Sequence, residues 1–235
     1  MITKEFVKEK SKYFENLPAQ NLLKWVFENY ENVGFTSSFS ADDISIIHMI
    51  KDIKPDALII FIDTDYHFPE TYQLVEKVKN EWDINLKIIK PLITIEEQER
   101  KYGKNLYEKD PDKCCYIRKV EPLKRVLEDL DVWITGMRRD QSPTRANIGK
   151  VEIHKLPSGK EILKINPIAD WTRKDVWKYV HKHNLPYNIL YDKNYLSIGC
   201  KPCTRPVLDG EDERAGRWAG KGKLECGLHT FTEKE

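Results

Sequence analysis

Four short apolar runs, VGFTSS at residues 33–38, ALIIFID at 57–63, LKII at 86–89 and VWITG at 132–136, are separated by stretches with helical hydrophobic spacing. That alternation is the signature of βαβ units and constrains the fold more than any other feature: an α/β domain with a mostly parallel sheet flanked by helices on both faces. It predicts strands over Val33–Ser38, Ala57–Asp63, Leu86–Ile89 and Val132–Gly136, with helices over Ala19–Tyr30, Asp42–Lys51 and Phe68–Trp82. Further on, VEIHKLPSGKEILKI reads as a hairpin turning at Ser158-Gly159, and Arg173–His183 as a helix capped by Thr172. From Asn184 the chain is rich in Gly, Pro and charge and has little periodicity, which predicts a loop-rich C-terminal extension. No repeat, low-complexity stretch or linker divides the chain, so one domain is expected over residues 1–235, with 200–235 as a cysteine-bearing loop and tail.

Open α/β sheets bind ligands at the carboxyl ends of their strands. Three polar loops fall there: SSFSADD (Ser37–Asp43), DTDYHFPET (Asp63–Thr71) and TGMRRDQSPTR (Thr135–Arg145), the last carrying Arg138, Arg139 and Arg145. Three such loops on one sheet edge predict a single ligand site.

At 235 residues, 40% of them apolar and 33% charged, the chain can bury a sizeable core. Its 39 basic and 38 acidic residues nearly cancel, which argues against a protein that coats nucleic acid. No run approaches the roughly 18 apolar residues of a membrane span, and the start, MITKEFVKEKSKYF, is too charged for a secretory signal. A cytoplasmic protein is expected.

In such a compartment five cysteines are a poor disulfide framework. Cys114 and Cys115 are adjacent in DKCCYIRK; consecutive Cα atoms lie about 3.8 Å apart, short of the roughly 4.4–6.8 Å of an ordinary disulfide, so their partners must lie elsewhere. Cys200 and Cys203 in IGCKPCTRP form a Cys-x-x-Cys on a Gly/Pro turn, a spacing that suits a metal. Four thiolates fit structural zinc or an iron–sulfur cluster, and spacing alone does not choose between them. Adjacent thiolates are awkward for one zinc ion and easier for a [4Fe-4S] cubane, which offers each sulfur its own iron. Arg118 and Lys119 follow within a turn and would offset the charge of such a centre, unless they form only a solvated helix face.

The fifth cysteine, Cys226, stands between Glu225 and Gly227, with His229 three residues on. Upstream, GEDERAGRW carries Arg214 and Arg217 at a spacing that shares a helix face. A mobile tail bearing a thiol near arginines suits a nucleophile that must reach both a substrate and a second protein; a merely tolerated tail cysteine is the other reading of the same residues.

Taken together, KCCYIRKVEPL, TGMRRDQSPTR, NPIADWTRKDVWKYV, LPYNILYDKNYLSIGCKPCTRPV, GEDERAGRW and ECGLH, in that order, closely resemble the assimilatory adenylyl-sulfate reductases. These form the iron–sulfur branch of the thioredoxin-dependent sulfonucleotide reductases, and the likeness runs from about Val33 to His229. The resemblance implies a PP-loop-type, adenine nucleotide alpha-hydrolase-like fold and reduction of adenosine 5′-phosphosulfate to sulfite and AMP. Cys226 would be the nucleophile that becomes an S-sulfocysteine, and thioredoxin or a similar dithiol reductant would release sulfite. Cys114, Cys115, Cys200 and Cys203 would hold a [4Fe-4S] cluster. Lys119 would link cluster and substrate, and Arg138, Arg139, Arg145, Arg214 and Arg217 would meet phosphate and sulfate. Ser37, Ser38, Phe39, Asp63 and Thr64 would bind the nucleotide. The partners implied are this nucleotide and the dithiol reductant, with no nucleic acid and no membrane; a homo-oligomer is compatible with the sequence.

Two departures matter. SSFSADD lacks both glycines of the Ser-Gly-Gly-x-Asp-Ser pyrophosphate loop, so its backbone amides cannot cradle a pyrophosphate as closely, which disfavours ATP hydrolysis. Between Arg217 and Cys226, WAGKGKL is a shorter tether than relatives carry, which bears on how the tail docks. The nearest competing function is the same reaction on the 3′-phosphorylated nucleotide. An ATP-dependent sulfur-insertion enzyme acting on nucleic acid would want an intact glycine loop and a basic face, and a zinc-stabilised binding module would be colourless.

Overall fold

The computed structural model describes residues 2–223 and 225–228, so His229 lies outside the described residues. After α1 (Lys4–Phe14) and α2 (Ala19–Asn29), the chain alternates β1 (Val33–Ser37), α3 (Ala41–Ile53), β2 (Leu58–Ile62), α4 (Pro69–Trp82) and β3 (Leu86–Ile89). Short helices α5 (Ile95–Tyr102), α6 (Leu106–Lys109), α7 (Pro111–Cys115) and α8 (Glu121–Leu127) lead to β4 (Val132–Ile134), the hairpin β5 (Val151–Lys155) and β6 (Glu161–Ile165), and α9 (Arg173–Lys182). The strands form one sheet in the order β3-β2-β1-β4-β6-β5, parallel except for the antiparallel edge strand β5.

Because side chains alternate along a strand, the parallel strands bury both faces. Phe35, Ile59, Phe61, Ile134 and Leu163 enter the core beneath α2 and α3. Ile60, Trp133 and Ile162 enter a second core with Leu123, Val126 and Leu127 of α8. The expected elements are present with small shifts at their ends. α3 starts one residue earlier because the Ser40 hydroxyl accepts from the backbone N–H of Asp43 at 3.2 Å, and α9 carries a capping box between Thr172 and Asp175. Gly159, at φ 88°, turns the β5–β6 hairpin as expected.

The chain runs outward from β1 in both directions across the sheet, so the loops after β1 and β4 part at its carboxyl edge and leave a crevice. Between α7 and α8 the helix loosens into one π-turn, Tyr116–Val120, where the N–H of Glu121 reaches back to the carbonyl of Tyr116. Pro122 has no N–H to return to the preceding turn, which accounts for the break in the α-helical ladder. The turn is buried: Arg118, Lys119 and Val120 all point inward rather than forming a solvated face. Among the described residues no helix is long and apolar enough to cross a membrane.

Candidate active site

The crevice is a cavity lined by all three predicted loops and by the C-terminal extension. From the first loop come Ser37, Ser38, Asp42 and Asp43. Phe39, at φ 57°, holds a left-handed conformation that a bulky residue adopts only under strain, and its ring is buried edge-on to Phe61 at 5.6 Å. That kink turns the two serines toward the cavity but places the Phe39 side chain in the core, outside the lining. Asp43 accepts from the Ser38 N–H at 2.6 Å and its hydroxyl at 2.8 Å. Burial, and then the neighbouring charge of Asp42, push the Asp43 carboxyl up to about 6, although the Ser38 bonds pull the other way. Across the crevice, Gly136 lies so close that any Cβ there would overlap the Asp43 carboxylate.

From the second loop, Thr64 and His67 line the cavity. Asp63 does not: it accepts from the Tyr72 hydroxyl at 2.6 Å and from the N–H of Asp65 at 3.0 Å, and pairs with Lys90 at 3.2 Å, so it shapes the loop from behind. Thr64 is fully buried and its hydroxyl lies 3.4 Å from the Cys200 sulfur, joining the second loop to the Cys-x-x-Cys turn. Burial drives the His67 imidazole down to about 4, so it is neutral, and its Nε2–H donates to the Ile62 carbonyl at 3.0 Å.

The five arginines divide. Arg145, Arg214 and Arg217 line the cavity. Arg138 does not, because its buried guanidinium is consumed by Asp42, by Asp140 at 3.1 Å and by Glu213 at 3.1 Å, tying the first and third loops to the extension. Arg139 turns away to Glu15 and to the carbonyl of Ile148, on which its Nε donates at 2.8 Å. Of the five arginines expected to meet phosphate and sulfate, these two therefore stand outside the lining, held in ion pairs. Arg214 and Arg217 lie on successive turns rather than a helix, the N–H of Arg217 donating to the Arg214 carbonyl at 2.9 Å. A bridge between Thr204 and Arg217 folds this segment back on the Cys-x-x-Cys turn. Gly199 leaves the room Arg217 needs, since a Cβ there would overlap its guanidinium.

A second, smaller cavity adjoins the first and is lined by Cys114, Cys115, Cys200 and Cys203 together with Tyr66, Tyr107 and Trp218. The sequence places these two cysteine pairs far apart; α7 and the 3-10 turn Lys201–Cys203 bring them to one chamber. The turn is fixed by the N–H of Cys203 on the Cys200 carbonyl at 3.0 Å and the N–H of Lys201 on the Tyr66 carbonyl at 2.7 Å. Burial, reinforced by the neighbouring sulfurs, pushes the Cys114 thiol up to about 12, and burial raises Cys115 to about 11. Among the described residues no three His, Cys, Asp or Glu side chains converge tightly enough to hold a single metal ion.

Lys119 and Arg217 line both cavities. Lys119 is buried on the π-turn; burial disfavours its ammonium, but the charges of Cys200, Cys226 and Cys115 prevail and raise its pKa. Cys226 lines the first cavity and packs against Cys115 and Trp218, so the thiol expected on a mobile tail is docked and 9% exposed. Burial alone would raise this thiol, but the Lys119 ammonium, the N–H of Leu228 and Arg217 outweigh it and hold the pKa below the ordinary thiol value. Beside it, Glu225 is gripped by Arg145, whose Nε and Nη2 donate at 2.8 and 2.7 Å, and by Arg214 at 3.3 Å. Neither Glu225 nor Glu213 is signalled by sequence pattern, because each finds its arginine partner far along the chain; His67 is signalled only as part of its loop.

Residues 32–206 match the phosphoadenosine phosphosulfate reductase domain. The adenosine 5′-phosphosulfate reductase of Staphylococcus epidermidis is 47% identical over 226 residues, covering 95% of this chain and 92% of that protein. The crystal structure of phosphoadenylyl-sulfate (PAPS) reductase from Candida auris, a phosphate complex, superposes with a TM-score of 0.76 at 32% identity, covering 88% of this chain and 98% of that one. An FMN adenylyltransferase from Candida glabrata, at 13% identity and a TM-score of 0.58 over 90% of this chain and 73% of its own, shares the fold alone. With a match across most of its length and a relative nearly half identical to it, this chain belongs to the phosphoadenosine phosphosulfate reductase family.

Proposed function

We propose that this oxidoreductase reduces adenosine 5′-phosphosulfate to sulfite and AMP, with thioredoxin as the dithiol reductant, in the cytoplasm. The observation that carries the reading is the placement of Cys226: a thiol with a lowered pKa, beside Lys119 and Arg217, at the wall between a polar cavity on the sheet edge and a four-cysteine chamber. The names of the curated relatives supply the substrate class.

The four-cysteine chamber fits a [4Fe-4S] cluster. Its donors are four thiols that line one small void, and its walls include Tyr66, Tyr107 and Trp218. Cys114, Cys115, Cys200 and Cys203 would hold it, and when bound it would supply negative charge next to Lys119 and pin α7 to the Cys-x-x-Cys turn.

The nucleotide would lie along the loops after β1 and β2, with Ser37, Ser38 and Thr64 presenting hydroxyls, and its anionic end would face Arg145, Arg214, Arg217 and Lys119. These cations offset the repulsion between an attacking thiolate and an anionic sulfonyl group. The Cys226 thiolate attacks sulfur; a new S–S bond forms, the S–O bond to the phosphate breaks, and AMP leaves with that electron pair. A reductant thiolate then attacks the Cys226 sulfur and sulfite departs with the S–S electron pair; the second reductant thiolate attacks the resulting mixed disulfide, closing the reductant's own disulfide and releasing the Cys226 thiolate, so two electrons come from the dithiol.

The Candida auris relative acts on the 3′-phosphorylated nucleotide, so substrate choice is the experiment. Sulfite release by the anaerobically purified protein with thioredoxin should be faster on adenosine 5′-phosphosulfate; a clear preference for the 3′-phosphate form would overturn the proposal.

A further inference from the structure

The arginines expected to receive the substrate's anion already hold one. The Glu225 carboxylate is forked by Arg145, with Nε at 2.8 Å to one oxygen and Nη2 at 2.7 Å to the other. Arg214 adds an Nη2 contact at 3.3 Å, and the Thr144 hydroxyl donates at 3.0 Å. Two parallel guanidinium bonds are the geometry that recognises a planar or tetrahedral oxyanion, whether it belongs to the chain or to a ligand. The carboxylate is largely buried, at 19% side-chain exposure, and the residue after it is Cys226.

We propose that Glu225 is an internal stand-in for the substrate's terminal oxyanion: it occupies Arg145 and Arg214 in the nucleotide-free enzyme, latches the thiol tail shut, and gives way when the nucleotide arrives. The inference rests on the functional reading above for the identity of the displacing anion. Its physical basis is exclusion, since two anions cannot share one guanidinium fork without losing hydrogen bonds and repelling each other. Displacing Glu225 couples arrival of the nucleotide to movement of the adjacent Cys226. Glu225 is thus a positioning residue for the thiol and an internal competitor against substrate.

ADP is the probe, because its terminal phosphate stands where the sulfate would and offers no sulfur to attack; AMP lacks that terminal group. Glu225→Gln should bind ADP about tenfold more tightly while AMP affinity moves less than about twofold. Without nucleotide, iodoacetamide should alkylate Cys226, followed on its own peptide by mass spectrometry, about tenfold faster in this variant. Glu225→Asp, which restores the charge, should return toward the wild-type rate. In the wild type, ADP should speed amide hydrogen exchange of the Cys226 peptide and AMP should not, a readout that stands even if a variant folds poorly. An unchanged alkylation rate in Glu225→Gln, an equal shift in ADP and AMP affinity, or no ADP effect on exchange despite ADP binding would each overturn the latch. If the wild type bound neither nucleotide, the functional reading would fail instead, and the alkylation rates would still decide whether Glu225 holds the tail.

Discussion

The two adjoining cavities are built on opposite principles. The sheet-edge cavity is assembled from strand ends and the loops that follow them, so its contributors are set by the sheet: Ser37 at the end of β1 and Ser38 after it, Thr64 after β2, Thr135 and Gly136 after β4. The cysteine chamber owes little to the sheet and is made by α7 and the Lys201–Cys203 turn meeting across the molecule. One is a general place to bind a ligand, as any open α/β sheet offers. The other needs residues of the loop-rich extension brought against α7. Lys119 and Arg217 line both.

Separating the two roles of cysteine breaks that comparison most severely. Cys226→Ser should lose at least about a thousandfold in sulfite production while keeping iron and nucleotide affinity, because it removes the attacking group and leaves the chamber intact. Retained activity would remove Cys226 from the reaction. Cys203→Ser should instead lose iron on anaerobic purification and activity with it, and iron at the wild-type stoichiometry would show that the chamber does not hold the cluster.

Two arginines of the same loop mark the boundary of the sheet-edge cavity. Arg138→Ala leaves Asp42 and Glu213 buried without their cation, so urea unfolding should show a loss of about 3–5 kcal/mol. Arg145→Ala faces the cavity and should chiefly raise KM, by about tenfold to a hundredfold, with a smaller loss of stability. The reverse pattern would exchange their roles.

These contrasts also mark what sequence pattern conveys. The strands are legible because a parallel sheet buried on both faces demands continuous apolar runs such as LIIFI, and the position of the loops follows from strand order. The four chamber cysteines are legible because few other reasons place Cys-Cys and Cys-x-x-Cys in one chain. Which arginine reaches the ligand is not legible. Arg138 and Arg139 look like Arg145, and only the folded chain separates them: Asp42 and Glu213 hold the one and Glu15 the other outside the cavity lining, whereas Arg145 lines it. The placement of Phe39 is hidden for a backbone reason: its positive φ, invisible in the letters SSFSADD, sends the ring into the core and the serines to the cavity. The docked tail is likewise hidden, since Glu225 meets Arg145 across 80 residues of sequence.

The smallest effect is expected at Asp43, in the wall of the sheet-edge cavity. Asp43 has its carboxyl raised from 3.8 to about 6 by burial and by the charge of Asp42. In that window the folded protein keeps a proton that the unfolded chain has released, so the contribution of Asp43 to stability is complete below pH 4 and is lost as pH rises through 6. Other carboxylates move stability in the opposite direction over the same range, so the quantity to measure is a difference. Unfolding free energies of wild type and Asp43→Asn, taken at intervals from pH 4 to 7, should diverge by about 2 kcal/mol, with the variant gaining on the wild type as pH rises. Asparagine keeps an acceptor for the Ser38 N–H and hydroxyl, so the loop itself should stand. Parallel curves would mean that Asp43 titrates normally and that the crevice between Gly136 and the first loop is wetter than its geometry implies.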